Sequence, residues 1–288
     1  MIRKIKYNEI DFRKYSECLE RSEQRNWYAR KEVLDELSGN WHILVYGDYE
    51  AVMPVNIKIK FGVKLVHMPL FCQQLGVFSH TDDREMNGEF LRFLKRNYRV
   101  FFYSFNHKNT FSADLEKRKN YIIPVSDYAT LRRKGYFKGR KSTVKCAQHL
   151  LYKEITAGDD CIGFIEKNFK GLPKKSDFKK FKSYLRFLSL DGSLKLCGAY
   201  SGETLINLAV LVSEPEQLSL LALINDEAYK DEDGASFLID RILNLYIGER
   251  SFDFMGSNIR GIEIFFKSFG AELHDYSFVE NKLLKRFS

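Results

Sequence analysis

The chain has 288 residues, which predicts roughly two domains at about 150 residues per domain. Hydrophobic residues make up 44% of the sequence and aromatic residues 15%, so packed cores are expected and disordered or collagen-like classes are excluded. The 46 lysines and arginines outnumber the 38 aspartates and glutamates, which gives a net charge of +8. The position of this excess charge along the chain is therefore informative.

Sequence features that would direct the chain into or across a membrane are not evident. The longest apolar run, Leu205–Val212, is much shorter than the roughly 20 residues that a bilayer requires. The basic N-terminus leads into polar residues, so no secretory signal is predicted. The five cysteines are odd in number and form no C-x-x-C pair, which indicates reduced thiols and neither a disulfide framework nor a zinc site. We expect a cytoplasmic protein.

The first predicted elements form a β-hairpin followed by a helix and another strand. Apolar runs at 42–46 and 49–55 flank a Gly47-Asp48 turn. Further along, apolar residues at helical spacing predict a helix over 84–97, which leads into a strand at 100–105. This order indicates an α+β unit.

The same order returns roughly 150 positions later. Strands are predicted at 194–200 and 203–210 around Gly202, and a helix from 234 to 248 leads into a strand at 252–254. A long offset of this kind predicts two copies of one unit. We expect domains at 1–127 and 187–288, with 128–186 as a basic helical connecting segment packed with the second domain.

The segment 128–186 carries 16 basic and 5 acidic residues, so its net charge is +11 and the remainder of the chain is slightly acidic. A solvated helix face and a phosphate-binding surface are both consistent with this pattern. Within Arg140–Lys145, guanidinium, ammonium and hydroxyl groups combine the donors that hold phosphates. We therefore predict phosphate or donor contacts at Arg140, Lys141 and Lys145.

Motifs for several common chemistries are missing from the sequence. It contains no G-x-x-x-x-G-K-S/T, no G-x-G-x-x-G, no H-E-x-x-H and no G-x-S-x-G. The six histidines share no ligand spacing. Nucleotide hydrolysis, hydride transfer and zinc chemistry are therefore not predicted, and no metal site is expected.

Five segments together, in their order along the chain, resemble the GNAT acyltransferase fold in the tandem form of the Fem family, the peptidoglycan aminoacyl transferases, and their bacterial relatives. They are Gly47–Pro54, Pro69–Phe78, Arg140–Lys145, Phe252–Ser257 and Ile264–Ala271. The resemblance implies an α+β fold of two tandem GNAT-like acyltransferase domains. Each domain would be a mixed, mostly antiparallel sheet flanked by helices.

The resemblance also implies an activity, which is transfer of an acyl or aminoacyl group to an amine by direct attack in a ternary complex. The implied donors are acyl-coenzyme A and aminoacyl-tRNA. The implied phosphate-bearing partners are coenzyme A, tRNA and a lipid pyrophosphate. A lipid acceptor would add a peripheral position at the inner membrane surface as an alternative to the free cytoplasm.

In the resembling acetyltransferases, a Q/R-x-x-G-x-G/A loop before a helix binds the coenzyme A pyrophosphate through backbone amides. The matching residues here are 231–236, in which Gly234 and Ser236 are the small residues that donor binding needs. However, an acidic triplet beginning at Asp231 replaces the leading Gln or Arg and is expected to repel a pyrophosphate. The tyrosine that serves as the acid in many acetyltransferases matches Phe266, which has no proton to donate and is expected in the core.

Polar residues within apolar runs supply the remaining site predictions. Asp253 lies between two phenylalanines, and a pocket carboxylate at that position would serve as the base that accepts a proton from the attacking amine. A surface-facing side chain, or a cap for Ser257 and Asn258, is the alternative. Gln73 and Gln74 are predicted acceptor contacts, with ordinary turn residues as the alternative.

Two further functions remain open at the level of sequence. Both copies would be degenerate in a non-catalytic module that binds nucleic acid or an anionic surface. In a coenzyme A-dependent N-acetyltransferase, the first copy would be the active one. The sequence does not identify the oligomeric state.

Overall fold

The computed structural model describes residues 1–60, 62–172 and 174–281. The chain divides into two compact units. The first comprises Met1–Arg118 together with the described residues from Asp275 onward, and the second comprises Lys119–His274. Each unit buries its own hydrophobic core.

The first unit contains a hairpin, three helices and further strands. The turn of the hairpin depends on Gly47, whose φ of 56° lies in the left-handed region that glycine adopts without strain. Asp83 caps the third helix by accepting hydrogen bonds from the backbone amides of Glu85 and Met86. In chain order the elements are β1 (Ile2–Lys6), α1 (Phe12–Arg21), α2 (Lys31–Ser38), β2 (Trp41–Tyr46), β3 (Ala51–Lys60), β4 (Val63–His67), β5 (Phe78–Ser79), α3 (Arg84–Asn97), β6 (Arg99–Ser104) and β7 (Lys117–Arg118).

The second unit repeats this plan with longer central strands. Its hairpin again turns on a left-handed glycine, Gly202, at φ 59°. The elements are β8 (Tyr121–Ile123), α4 (Tyr128–Thr130), a wide helical turn (Leu131–Gly135), α5 (Lys138–Cys146), β9 (Leu151–Ile155), α6 (Asp159–Asn168), α7 (Lys175–Asp191), β10 (Leu194–Ser201), β11 (Thr204–Ser213), β12 (Gln217–Asn225), α8 (Gly234–Tyr246), β13 (Ser251–Asp253), α9 (Arg260–Lys267) and β14 (Glu272–Leu273). The last strand, β15 (Tyr276–Glu280), belongs to the first unit.

The two sheets share one topology. The first has the order β1-β2-β3-β4-β6-β15-β7, with β5 paired to β3, and the second has the order β14-β8-β13-β12-β11-β10-β9. Strand pairs are antiparallel except β4 with β6 and β12 with β13, which are parallel. In each parallel pair the second strand directly follows a helix, which is α3 in the first unit and α8 in the second. The predicted α+β class, with two domains that are each built on a mixed, mostly antiparallel sheet, is thus confirmed.

Each sheet includes a strand that is distant in sequence from the strand it pairs with. Strand β8 follows the first unit along the chain but pairs with β13 of the second, and β15 follows the second unit but pairs with β6 of the first. The division of the chain therefore falls at Arg118 and differs from the sequence-based boundary at 127. The basic segment 128–186 lies wholly within the second unit. Residues 282–288 of the last predicted range lie outside the described residues.

Most elements predicted from apolar spacing are confirmed. The hairpins at 42–55 and 194–210, the helix at 84–97 and the helix that begins at 234 all form, the last ending at Tyr246. Each helix buries the apolar face that its spacing defined, for example Phe90 and Leu94 of α3. No helix among the described residues is long and apolar enough to cross a membrane.

Candidate functional site

The carboxylate of Asp253 ends β13 and is buried, with 7% of the residue exposed. It accepts hydrogen bonds from the backbone amide of Met255 at 2.6 Å and from the Asn120 side-chain amide at 3.2 Å. Phe252 and Phe254 point into the core, so strand alternation places Asp253 on the other face. Burial raises the pKa of Asp253 to about 6, and the two hydrogen bonds limit the rise.

The loop after Asp253 has an unusual backbone. Met255 has a φ of 56° and Gly256 a φ of 75°. A left-handed conformation is costly for methionine. The hydrogen bond from the Met255 backbone amide to the Asp253 carboxylate helps to stabilise this conformation. The carboxylate therefore caps this turn. It is not surface-facing, and the hydrogen bonds of Ser257 and Asn258 to backbone amides involve Ile259 and Lys119 instead.

The N-terminus of α8 is packed closely against β11. A Cβ atom on Gly234 would lie 1.8 Å from Oδ1 of Asn207, so only glycine fits this approach. Asp233 precedes it as the N-cap residue at φ 56°, and its side chain makes no capping hydrogen bond. The small residues of the resembling loop thus bring helix and strand together.

Acidic residues before α8 are tied to neighbouring elements of the second unit. Asp226 pairs with Lys167 at 3.0 Å and Glu227 with Lys170 at 3.2 Å. Glu232 contacts the His149 ring at 3.1 Å and raises the pKa of that imidazole. These contacts reduce the negative potential before α8, while Asp231 and Asp233 remain exposed.

Arg140 is built into the second unit. Its guanidinium donates to the hydroxyl of Ser236 on α8 and, at 2.8 Å, to the hydroxyl of Ser268 after α9. It also lies over the rings of Phe265 and Phe269, 4.6 and 4.8 Å from their centroids. Burial lowers its pKa from the usual arginine value, and the nearby Asp233 opposes that shift. The structure thus brings the predicted phosphate residues Arg140 and Ser236 into direct contact with each other.

The other predicted phosphate-binding cations differ from Arg140 in their surroundings. Lys141 donates its ammonium to the backbone carbonyl of Arg133 at 2.6 Å. Lys145 is exposed near the end of α5. Of the three cations, Lys145 is therefore the one that solvent and a ligand reach most easily.

The predicted acceptor contacts lie in the first unit, in the segment between β4 and β5. Gln74 is buried, with its side-chain oxygen accepting from the His107 amide at 2.8 Å and its side-chain nitrogen donating to Gln73 at 3.1 Å. Gln73 is half-buried. Gln74 therefore holds the local backbone, and Gln73 presents the more accessible amide.

Asn120 and the charged residues linked to its neighbour Lys119 were not predicted from the sequence. Asn120, which donates to Asp253, precedes the short strand β8. The adjacent Lys119 pairs with Glu263 at 2.8 Å, and Lys267 pairs with the same carboxylate at 3.0 Å. Both lysines lower the pKa of Glu263 to about 2. For Lys119 and Asn120, the available sequence signal was their position just before the apolar strand β8.

Asp240 is a second buried carboxylate, on α8, one helical turn after Ser236. It accepts a hydrogen bond from the Tyr128 hydroxyl at 2.7 Å. A polar residue within the apolar run of α8 was the available signal for Asp240.

Phe266 is buried as predicted and stacks on Phe254 with ring centroids 4.3 Å apart. Among the described residues, no cluster of three or more His, Cys, Asp or Glu side chains is suited to a metal ion.

Comparisons with known proteins identify the fold. No protein-family model matches the chain, and no curated protein matches it in sequence. Among solved structures, FemX superposes with a TM-score of 0.64 at 11% identity, covering 99% of both chains. A conserved protein of unknown function from Bacteroides thetaiotaomicron gives 0.59 at 13% identity, covering 98% of this chain and 100% of that one. A tandem GNAT protein from the clavulanic acid biosynthesis pathway gives 0.54 at 8% identity, with 96% and 97% covered. The chain therefore has the tandem GNAT fold that FemX shares, as the sequence resemblance predicted.

Proposed function

We propose that the protein transfers an acyl or aminoacyl group to an amine and that Asp253 of the second unit is the base. The observation that carries this proposal is a buried carboxylate at the end of β13 with its pKa raised to about 6. Such a group is largely ionised at neutral pH and is still basic enough to accept a proton. The tandem GNAT fold shared with FemX supports the reaction class.

The proposed reaction proceeds without a covalent enzyme intermediate. The amine nitrogen attacks the carbonyl carbon of an activated ester, a C–N bond forms, and the Asp253 carboxylate takes the proton that the nitrogen loses. Collapse of the tetrahedral intermediate breaks the C–O bond of the ester. Because Phe266 has no proton to give, the protonated Asp253 returns its proton to the leaving oxygen. The carboxylate is thereby regenerated.

Several features favour an aminoacyl ester over coenzyme A as donor at the second unit. The Ser236 hydroxyl accepts from Arg140, and exposed carboxylates of Asp231 and Asp233 lie before α8. This set of groups does not fit a pyrophosphate bound in the manner of the acetyltransferases. We therefore propose an aminoacyl-tRNA donor. Lys145, Lys141 and Arg140 would provide the positive potential for its phosphates, and Gly234 would keep α8 against β11.

The acceptor is proposed to be an amine on a peptide or lipid-linked precursor. Gln73 is the proposed direct contact, because its amide is more accessible than that of Gln74. Gln74 would position it through their hydrogen bond. These assignments predict that Gln73→Ala raises KM for the acceptor with little change in kcat.

The test is an assay with a pool of aminoacyl-tRNAs and, separately, acetyl-coenzyme A, each offered with amine-bearing peptides. Replacing Asp253 by Asn should lower turnover by roughly 10²- to 10⁴-fold. Asp240→Asn is the matched control, since it also neutralises a buried carboxylate of the second unit. Equal turnover of wild type and Asp253→Asn would remove the assigned base.

The same assay separates the alternatives. A protein that binds tRNA with a steep salt dependence but forms no product would be the non-catalytic module. Product formed only from acetyl-coenzyme A, and unaffected by Asp253→Asn, would indicate an acetyltransferase that acts through the first unit.

A further inference from the structure

Helix α7 presents a straight line of cations to solvent. Its buried face consists of Phe181, Tyr184, Leu185 and Leu188. On the opposite face, Lys175, Lys179, Lys182 and Arg186 follow one another at spacings of three and four residues and are all exposed. We call these four residues the α7 basic row. It extends over roughly 16 Å of the helix axis.

Most of the α7 basic row is not neutralised within the chain. Lys182 pairs with Glu166 at 2.8 Å. Among the described residues, the structure records no ion pair for Lys175, Lys179 or Arg186. By contrast, Lys167 of the preceding helix α6 and Lys170 just after it are both paired with carboxylates. The α7 basic row thus carries a local excess of positive charge on one face of the helix.

This arrangement does not serve the folding of the helix. Like charges three or four residues apart repel one another and destabilise a helix. The acids of α7, Asp177 and Asp191, lie by helical spacing on the side away from the row and do not relieve this repulsion. A row that opposes helix formation is better explained by an anionic partner.

An exposed leucine indicates which anionic partner fits. Leu190 continues the line of the row one turn beyond Arg186, and 81% of it is exposed. An apolar side chain beside cations gains free energy at a lipid interface, whereas it gains nothing from a phosphate backbone in water. No aromatic side chain of α7 falls in the exposed class, so a platform for stacking nucleic-acid bases is missing from this helix.

We propose that the α7 basic row and Leu190 form a docking surface for an anionic phospholipid membrane. The ammonium and guanidinium groups would lie among the lipid phosphates, and Leu190 would enter the boundary with the acyl chains. The contact would be peripheral and reversible because it rests on a few charges and one apolar side chain. This inference does not depend on the proposed transferase activity.

The test is sedimentation of the full-length chain with vesicles of phosphatidylcholine alone or with about 30 mol% phosphatidylglycerol, at about 50 and about 500 mM NaCl. Binding is expected only to the anionic vesicles and only at low salt. The triple variant Lys175→Gln, Lys179→Gln, Arg186→Gln should weaken binding by roughly 100-fold, at about fivefold per cation. Its thermal stability should be unchanged or higher.

The matched control removes three exposed cations from another helix, with Arg92, Lys95 and Arg96 of α3 each replaced by Gln. This control should bind vesicles almost as well as wild type. Equal losses in the two triple variants would mean that net charge alone drives adsorption and would overturn the docking surface.

Leu190→Ser distinguishes lipid from nucleic acid. It should weaken vesicle binding severalfold while leaving any binding to an RNA duplex unchanged. Binding of RNA through the α7 basic row together with failure to bind anionic vesicles would contradict the proposal. Vesicle binding that is insensitive to Leu190→Ser would also contradict it, because the choice of lipid rests on that side chain.

Discussion

The two units have the same topology but differ in the chemistry of their buried polar side chains. In the first unit, amides fix the loops at the end of the sheet. The side-chain amide of Asn109 exchanges hydrogen bonds with the backbone of Val77. That of Asn106 donates to the carbonyl of Gln24, and that of Gln74 accepts from the backbone amide of His107. Among the described residues, the buried carboxylates Asp226, Asp240 and Asp253 all lie in the second unit.

This difference has a chemical meaning. An amide offers a fixed donor and acceptor and does not exchange protons near neutral pH, so it stabilises a loop without titrating. A buried carboxylate costs free energy when it is charged, and at Asp253 this cost raises the pKa. The first unit is accordingly suited to holding segments in place, whereas the second contains a group that can move a proton.

The largest expected effect is on the pH dependence of turnover. If Asp253 is the base, activity should require its ionised form and rise about tenfold per pH unit until it levels above a pKa near 6. The measurement is kcat/KM from pH 4 to pH 8 for wild type and Asp240→Asn. A profile without an inflection between pH 5 and pH 7 would separate catalysis from Asp253 and weaken the contrast between the units.

The free energy of unfolding should also depend on pH through the titration of Asp253. The folded-state pKa of Asp253, about 6, lies above the ordinary 3.8, so between these values the folded chain holds a proton that the unfolded chain has lost. The free energy of unfolding should therefore fall as pH rises from about 4 to about 6, by roughly 2–3 kcal/mol, and then level off. Asp253→Asn should remove this fall.

The measurement is denaturant unfolding of wild type and Asp253→Asn across that pH range, since their difference cancels the contribution of other groups. A difference that stays constant with pH would mean that the carboxylate is hydrated in the folded state. Asp253 would then not differ from the amides of the first unit in the way that the contrast between the two units requires.

Local patterns made much of the fold predictable. The hairpin glycines Gly47 and Gly202 occupy left-handed turns, and the helix that begins at Gly234 buries the apolar face its spacing defined. These features depend on neighbours within a few residues. The burial of Phe266 followed from its residue type.

Pairings over long sequence distances were not predictable. Strands β8 and β15 are short, and their partners lie more than a hundred residues away, so no local period marks the exchange between sheets. The same applies to Arg140, which looked like a free cation until Ser236 and Ser268 were placed beside it. Asp253 was identified as a polar exception, but its partner Asn120 comes from the exchanged strand region.

Several amides of the first unit donate hydrogen bonds to the carboxylate of Asp82. Loss of this carboxylate should lower the stability of the fold and leave turnover unchanged. Half-buried Asp82 accepts hydrogen bonds from the side chains of Gln24, Asn87 and Asn109 and from both the backbone amide and the hydroxyl of Thr110. Asp82→Ala should lower the free energy of unfolding by about 2 kcal/mol, because several donors lose their acceptor. Turnover per folded molecule should stay near the wild-type value. A large loss of kcat with unchanged stability would place catalytic chemistry in the first unit.

The smallest effect distinguishes the cation built into the second unit from the exposed one beside it. Arg140→Ala removes two hydrogen bonds to buried hydroxyls and the contacts with Phe265 and Phe269, so it should cost about 1–2 kcal/mol of stability. Lys145→Ala should change stability by less than about 0.5 kcal/mol, because the side chain is exposed. Thermal unfolding of both variants at low and high salt is the measurement. Equal and small effects would mean that Arg140 is as free as Lys145, and Arg140 would then regain the purely phosphate-binding role that its sequence context first predicted.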